Sequence, residues 1–226
     1  MKKFETRIDA ARQLAAALAE YRGQNPLVLA SPRGAVGMAA VLAEALGGEL
    51  DVVLVRKLRA PGNPELAVGA VDETGWTYVA PHAAGVGADT AHIEREKRTQ
   101  LETLRARRAR YTPARPPIDP AGRIAIVVDD GLATGASMIA ALHAVRARVP
   151  RELVCAVPVA APESLERVRP YADKVVCLAA PPEFYAVGQF YREFPQVEDD
   201  EVVRLLARAG QPRARAQHDE SGHQPP

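Results

Sequence analysis

Cysteine, aromatic side chains and an excess of charge of either sign are all scarce in this chain of 226 residues. Two cysteines, one tryptophan and a formal net charge of +1 are all that it carries. So even a charge balance lacks the basic footprint of a nucleic-acid binder, and nucleic acid is not an expected partner. Cys155 and Cys177 sit in apolar, strand-like runs without a Cys-x-x-Cys spacing. That excludes a zinc ribbon and argues for buried thiols in a reducing compartment. No window approaches the roughly 18 apolar residues of a membrane span, so no membrane partner is expected. The start, MKKFETRIDA, has two lysines but no apolar stretch behind them, which argues against a secretory signal and for a cytoplasmic setting. His82 and His92 lack metal-ligand spacing with carboxylates or cysteines. The length suits one sizeable α/β domain with a small accessory lobe.

What is present centres on residues 124–137, IAIVVDDGLATGAS. Five apolar residues predict a strand buried on both faces, and Asp129 and Asp130 end it at once. Gly131 and Gly135 then permit a tight turn, and Thr134 and Ser137 place hydroxyls where a helix begins near Ala136. Free N–H groups at a helix start, the helix dipole and two hydroxyls suit a dianionic phosphate. The two aspartates would be repelled by that phosphate, so they suit hydroxyl donors or a cation. Phosphate on one side and a diol on the other describe a ribose 5-phosphate. Two alternatives share parts of this pattern: an Asp-Asp metal site of a phosphatase or nuclease, and a generic nucleotide-binding turn. A Walker loop is excluded, because no lysine precedes Ser137.

An apolar strand, two acids and a short loop ending in Thr-Gly-x-Ser resemble the signature of type I phosphoribosyltransferases, and the wording VVDDGLATGAS is most similar to the adenine enzymes. Ala133 stands where enzymes acting on 6-oxopurines carry an aspartate, so the resemblance implies a different acceptor. It covers residues 25–180. It implies phosphoribosyl pyrophosphate (PRPP) as donor and magnesium as cofactor, held through PRPP and waters near Asp129 and Asp130 rather than directly. Backbone groups of Gly131, Leu132, Ala133, Thr134 and Gly135, with the Thr134 and Ser137 hydroxyls, would take the 5-phosphate.

In chain order, residues 6–22 predict an amphipathic packing helix, and Leu27 to Ala30 a short strand. The loop Ser31-Pro32-Arg33-Gly34 follows, at the sheet edge that also carries the 129–137 loop. Arg33 offers a forked cation and Gly34 close backbone approach, and the pair resembles the family's pyrophosphate loop. Asp51 to Val55 predict a strand ending in Arg56-Lys57. There Lys57 would neutralise the leaving pyrophosphate, as a family lysine does, and Arg56 would face the opposite side. Residues 59–65 read as a turn-rich loop, with strands at 66–71 and 76–80 around a turn at 72–75. The stretch resembles the family's mobile loop, and Arg59, Glu65 and Glu73 are candidates within it.

Asp89 or Thr90 can cap a charged helix that follows, within an insertion at about 81–115. Residues 91–123 carry a charge of +5. This is either a solvated packing helix, a basic flap over an anion or an oligomer contact. Strands near 27, 51, 124, 152 and 174 with helices between them predict a five-stranded, mainly parallel sheet flanked by helices, an α/β core over residues 1–180. Residues 181–210 form a second unit, a small C-terminal hood. It holds Phe184, Tyr185, Phe190, Tyr191 and Phe194, with six acids against one arginine over 181–203. These aromatics could stack an acceptor, cement a homodimer or simply pack, and the acids complement the basic 91–123 segment. Residues 211–226 have almost no apolar content and are predicted to be disordered.

The expected reaction is phosphoribosyl transfer from PRPP to a nitrogenous, nucleobase-like acceptor, with Asp129, Asp130 and Lys57 as catalytic residues. A PRPP-binding regulator without turnover and a hydrolytic phosphatase are the alternatives.

Overall fold

The three central strands of the main sheet present alternate side chains to two different cores, and this fixes where the helices go. The computed structural model describes residues 3–113 and 117–209. The tail from 211 onward, expected to be disordered, lies outside them. Helix α1, Arg7–Ala17, starts where the Thr6 hydroxyl accepts the Asp9 amide and buries Ala10, Ala11, Leu14 and Ala15. Strand β1, Leu27–Ala30, is wholly buried, and helix α2, Val36–Leu46, closes on Gly47 at φ +68°. Strand β2 is Glu49–Val52.

Here the chain leaves the sheet. The single strand expected over 51–55 ends at Val52, and Val55–Ala60 forms strand β3 of a separate antiparallel sheet. Strands β4, Asn63–Asp72, and β5, Thr77–Val79, complete it in the order β3-β4-β5. Residues 59–65 are therefore not a loop. Ala60 pairs with Asn63 across Pro61-Gly62, and Gly62 takes the left-handed φ of +69° that a turn with Pro at its first central position calls for. The turn at 72–75 stands as expected, tied by the buried Asp72 carboxylate to the amides of Thr74 and Trp76.

Helix α3, Thr90–Tyr111, is capped by Asp89, which accepts the His92 amide. It packs on β3, and His92 and His82 are spent on the carbonyls of Arg59 and Ala67. Strand β6, Ile124–Val128, helix α4, Ala136–Arg146, and strand β7, Glu152–Val159, follow. Then come helix α5, Pro162–Val168, and strand β8, Lys174–Ala179. The main sheet is five-stranded, parallel throughout, in the order β2-β1-β6-β7-β8. Ile124, Ile126 and Val128 face α1 and α2, while Ala125 and Val127 face α4 and α5, the period of two that a doubly covered strand requires. Cys155 and Cys177 are free thiols. No helix among the described residues is long and apolar enough to cross a membrane.

The C-terminal segment differs from the expectation of a single aromatic and acidic stretch. Asp199–Ala209 is a helix, α6, whose acids fill the first turn, where a helix dipole favours them, and whose Val202 and Leu206 are buried. Its Asp199 and Asp200 pair with Arg110, so the acidic and basic segments do meet, within one chain. Phe184 packs on Phe190, and Tyr191 on Phe4 and Phe194, with the ring planes tilted by 31–40°. Tyr191 also donates its hydroxyl to the Asp130 carbonyl at 2.6 Å, fastening this segment to the central loop. Tyr191→Phe leaves that acceptor unsatisfied in a buried setting. It is expected to cost about 1–3 kcal/mol of stability, read as a lowered urea midpoint with unchanged slope.

Candidate functional site

Parallel strands send their carboxyl ends to one edge, so the loops after β1 and β6 converge there. Between them and β3 opens a cavity of about 500 Å³. Arg33, Gly34, Lys57, every residue from Asp129 to Gly135, and Ser137 lie on its wall.

The loop after β6 is fixed on its far side. The Leu132 amide donates to the Val159 carbonyl at 2.9 Å, the Ala161 amide donates to the Leu132 carbonyl, and the Ser164 hydroxyl donates to the Ala133 carbonyl at 2.7 Å. Gly135, at φ +77°, turns the chain into α4, and a Cβ there would press on Val168 at 3.1 Å. Amides of the first turn of α4 and the loop hydroxyls thus face the cavity with the backbone held still, a cradle suited to an anion.

The two aspartates are the costly part of the site. Asp129 receives the Asp130 amide on Oδ1 at 2.9 Å. Burial, and then the neighbouring Asp130 charge, push its carboxyl up to about 8, against the pull of Lys57. Burial also raises Asp130, whose Oδ2 takes the Arg7 Nε at 2.8 Å as partial relief. Arg7 is itself clamped: its guanidinium lies 3.6 Å over the Phe194 ring and Nη1 donates to the Pro195 carbonyl at 2.7 Å. Gly34 matters to this pair. A Cβ at position 34 would overlap the Asp130 carboxylate and crowd Arg7, so its small size serves a protein contact as well as any ligand.

Arg33 is three-quarters buried, with Glu198 at 3.5 Å and Asp199 at 3.9 Å, and the Pro32–Arg33 peptide is cis. Lys57 lies within β3 rather than at the end of a parallel strand. Arg56 does not point away from the site as expected. β3 is the edge strand of the small sheet, and residues from both its faces reach the opening. Of the other candidates, Arg59 and Glu65 line the cavity, whereas Glu73 is engaged by Arg108 elsewhere. Sequence reasoning did not single out Arg7 or Arg107, and the only signal for Arg107 was the basic run that contains it. None of the hood aromatics lines the cavity; Val187 is the hood's contribution. Among the described residues no group of three or more His, Cys, Asp and Glu could hold a metal alone.

A doubly covered parallel sheet with a glycine-turned loop, paired acids and cations at its carboxyl edge is the type I phosphoribosyltransferase architecture. The chain belongs to the phosphoribosyl transferase domain family, whose model matches residues 2–194. It is similar to a Mycobacterium tuberculosis protein provisionally named a phosphoribosyl transferase, 44% identical over 227 residues in each of two strains. That match takes in all of this chain and 51% of the relative, so the chain spans about half the length of the curated relatives it matches. Among solved structures it is similar to TT1426 from Thermus thermophilus, at 48% identity and a TM-score of 0.77, covering 92% of this chain and 99% of that one.

The raised Asp129 has a stability consequence. Between the unfolded carboxylate value, about 4, and the folded value of about 8, the native state holds a proton that the unfolded chain has lost. Stability therefore falls as pH rises through that window and levels off above it. Asp129→Asn, which keeps an oxygen for the Asp130 amide, is expected to flatten the profile. The variant should be the more stable protein at pH 8 and equal to wild type near pH 4, as measured by urea unfolding across that range.

Proposed function

We propose that the protein transfers the 5-phosphoribosyl group of PRPP to a nitrogenous acceptor and releases pyrophosphate. The observation that carries this reading is the meeting, in one cavity, of a fixed amide and hydroxyl cradle, two adjacent carboxylates and a set of cations. Amides of Gly131, Ala133, Thr134 and Gly135, with the Thr134 and Ser137 hydroxyls, bind the 5-phosphate, whereas the Leu132 amide is spent on the Val159 carbonyl. Asp129 and Asp130 accept the ribose hydroxyls, whose protons offset the repulsion between the two carboxylates. Arg33, the Gly34 backbone and Lys57 bind the diphosphate.

The acceptor nitrogen's lone pair forms the bond to the anomeric carbon as that carbon's bond to the diphosphate oxygen breaks. The electron pair leaves with pyrophosphate, and any proton on the attacking nitrogen passes to solvent. Lys57 and Arg33 stabilise the charge that grows on the leaving oxygens, while the rigid cradle holds the sugar in line. Two carboxylates are too few to hold a metal alone, but they fit a magnesium ion carried in on the diphosphate. Asp129 and Asp130 would hold it through its waters, and it would add positive charge beside the leaving group.

The test is a pyrophosphate-release assay with PRPP, magnesium and a panel of nitrogen heterocycles, run beside PRPP calorimetry. Asp130→Asn is expected to remain folded and to weaken PRPP binding on the order of ten- to a hundredfold, the worth of one or two charge-assisted hydrogen bonds. Unchanged affinity would remove the assignment. Firm PRPP binding with no pyrophosphate from any acceptor would leave a binding protein in place of an enzyme.

A further inference from the structure

The cavity holds more positive charge than the donor needs. Five cations line it, Arg33, Arg56, Lys57, Arg59 and Arg107, against the carboxylates Glu65, Asp129 and Asp130. Asp130 is already engaged by Arg7. A diphosphate partly neutralised by a divalent cation leaves little negative charge, which Arg33 and Lys57 suffice to meet.

That leaves Arg56, Arg59 and Arg107. Among the described residues none of the three has a carboxylate at salt-bridge distance; the Arg56 Nε donates to the neutral Gln100 amide at 2.9 Å. The three are close enough to disturb one another: burial, then repulsion from Arg107 and Arg59, lowers the proton affinity of the half-buried Arg56. Arg56 and Arg107 are partly buried and Arg59 is exposed, and Asp199 feels the Arg107 charge without forming a salt bridge to it; like charges gathered in this way are a cost that an anionic ligand reduces. Nor does the wall offer the surface on which a neutral base would stack. No Phe, Tyr or Trp lines the cavity: Phe184, Phe190, Tyr191 and Phe194 pack within the hood and on Phe4, Tyr185 is exposed outside the cavity, and Trp76 stacks on His143.

We propose that the acceptor is itself an anion, a nitrogen compound bearing a carboxylate or phosphate, and that Arg56 and Arg107, with Arg59, bind that group. The inference rests on the phosphoribosyl-transfer reading and adds the acceptor's chemical class. Guanidinium forks on a helix and a neighbouring strand suit a planar carboxylate or a phosphate through paired N–H donors.

The experiment uses sets of one pyridine or imidazole ring carrying an amide, a carboxylate or a phosphonate. Each is titrated into protein saturated with PRPP and magnesium and followed by ligand-observed NMR. At least one anionic member should bind about tenfold or more tighter than its amide, and the tighter of the two identifies the group. Arg56→Met and Arg107→Met should each abolish the preference while PRPP affinity stays at the wild-type value. Arg107 lies on the outer turns of α3, so its variant serves even if Arg56→Met fails to fold. The inference is overturned by amides binding as well as the anions, by no member binding, or by a preference that survives both substitutions. PRPP that binds without any anion preference removes this inference alone, whereas PRPP that does not bind removes the phosphoribosyl reading with it.

Discussion

Two adjacent carboxylates at the end of a strand that no water reaches are the constraint from which the rest of the site follows. Strand β6 is buried along its whole length because helices cover both its faces. Asp129 and Asp130 therefore emerge into a place where burial opposes the ionisation of both, and the Asp130 charge adds to the cost for Asp129. The fold answers from three distant parts of the chain. The N-terminal helix supplies Arg7, the small sheet supplies Lys57, and Tyr191 of the hood fixes the Asp130 carbonyl. Gly34 is the space this arrangement requires, because any side chain there would displace the carboxylate.

The supports also differ in kind. Hydrogen bonds from the loop to β7 and α5 are backbone-based and sheltered, so they hold the cradle still before any ligand arrives. By contrast Arg33 meets an exposed Glu198 at 3.5 Å and Asp199 only at 3.9 Å, and pairs with so exposed a partner as Glu198 contribute only about 0–1 kcal/mol. Their value is positional. Asp199 is held by Tyr111 and Arg110 from α3, so α6 and α3 together set where Arg33 can stand. A rigid cradle opposite a loosely tethered cation is a sensible division when one end of a ligand stays on the protein and the other departs.

The central strand, its turn and the helix after it were legible because their signals are local. An all-apolar run means two covered faces, two acids end it, and glycine and hydroxyls mark the turn. The excursion through β3 to β5 was not legible for a physical reason. In Val55-Arg56-Lys57-Leu58-Arg59-Ala60 the period of two is masked by charge, because residues on both faces of that edge strand border the cavity. Helix α6 was hidden by the acids of its own first turn, which read as composition rather than as a helix start. Arg7 lay beyond reach altogether: its partner Asp130 is 123 residues away, and nothing in an amphipathic helix says which of its arginines will find a carboxylate. The clustering of the hood aromatics left stacking, a subunit contact and packing all open, because composition does not say which way a ring turns: Phe184 packs on Phe190 and Tyr191 on Phe4 and Phe194, while Tyr185 is exposed.

The same electrostatics govern what can enter. An anionic donor arriving without a cation would add negative charge beside Asp129 and drive its carboxyl still further up. A protonated Asp129 is a hydrogen-bond donor on one oxygen, so it would meet the ribose diol with the wrong complement of protons. Lys57 alone already fails to bring the carboxyl down to its ordinary range. On the phosphoribosyl-transfer reading, the aspartate pair therefore favours a donor whose negative charge is balanced on arrival. Recognition at this edge of the sheet turns on matching charge to charge as well as on the hydrogen bonds of the loop.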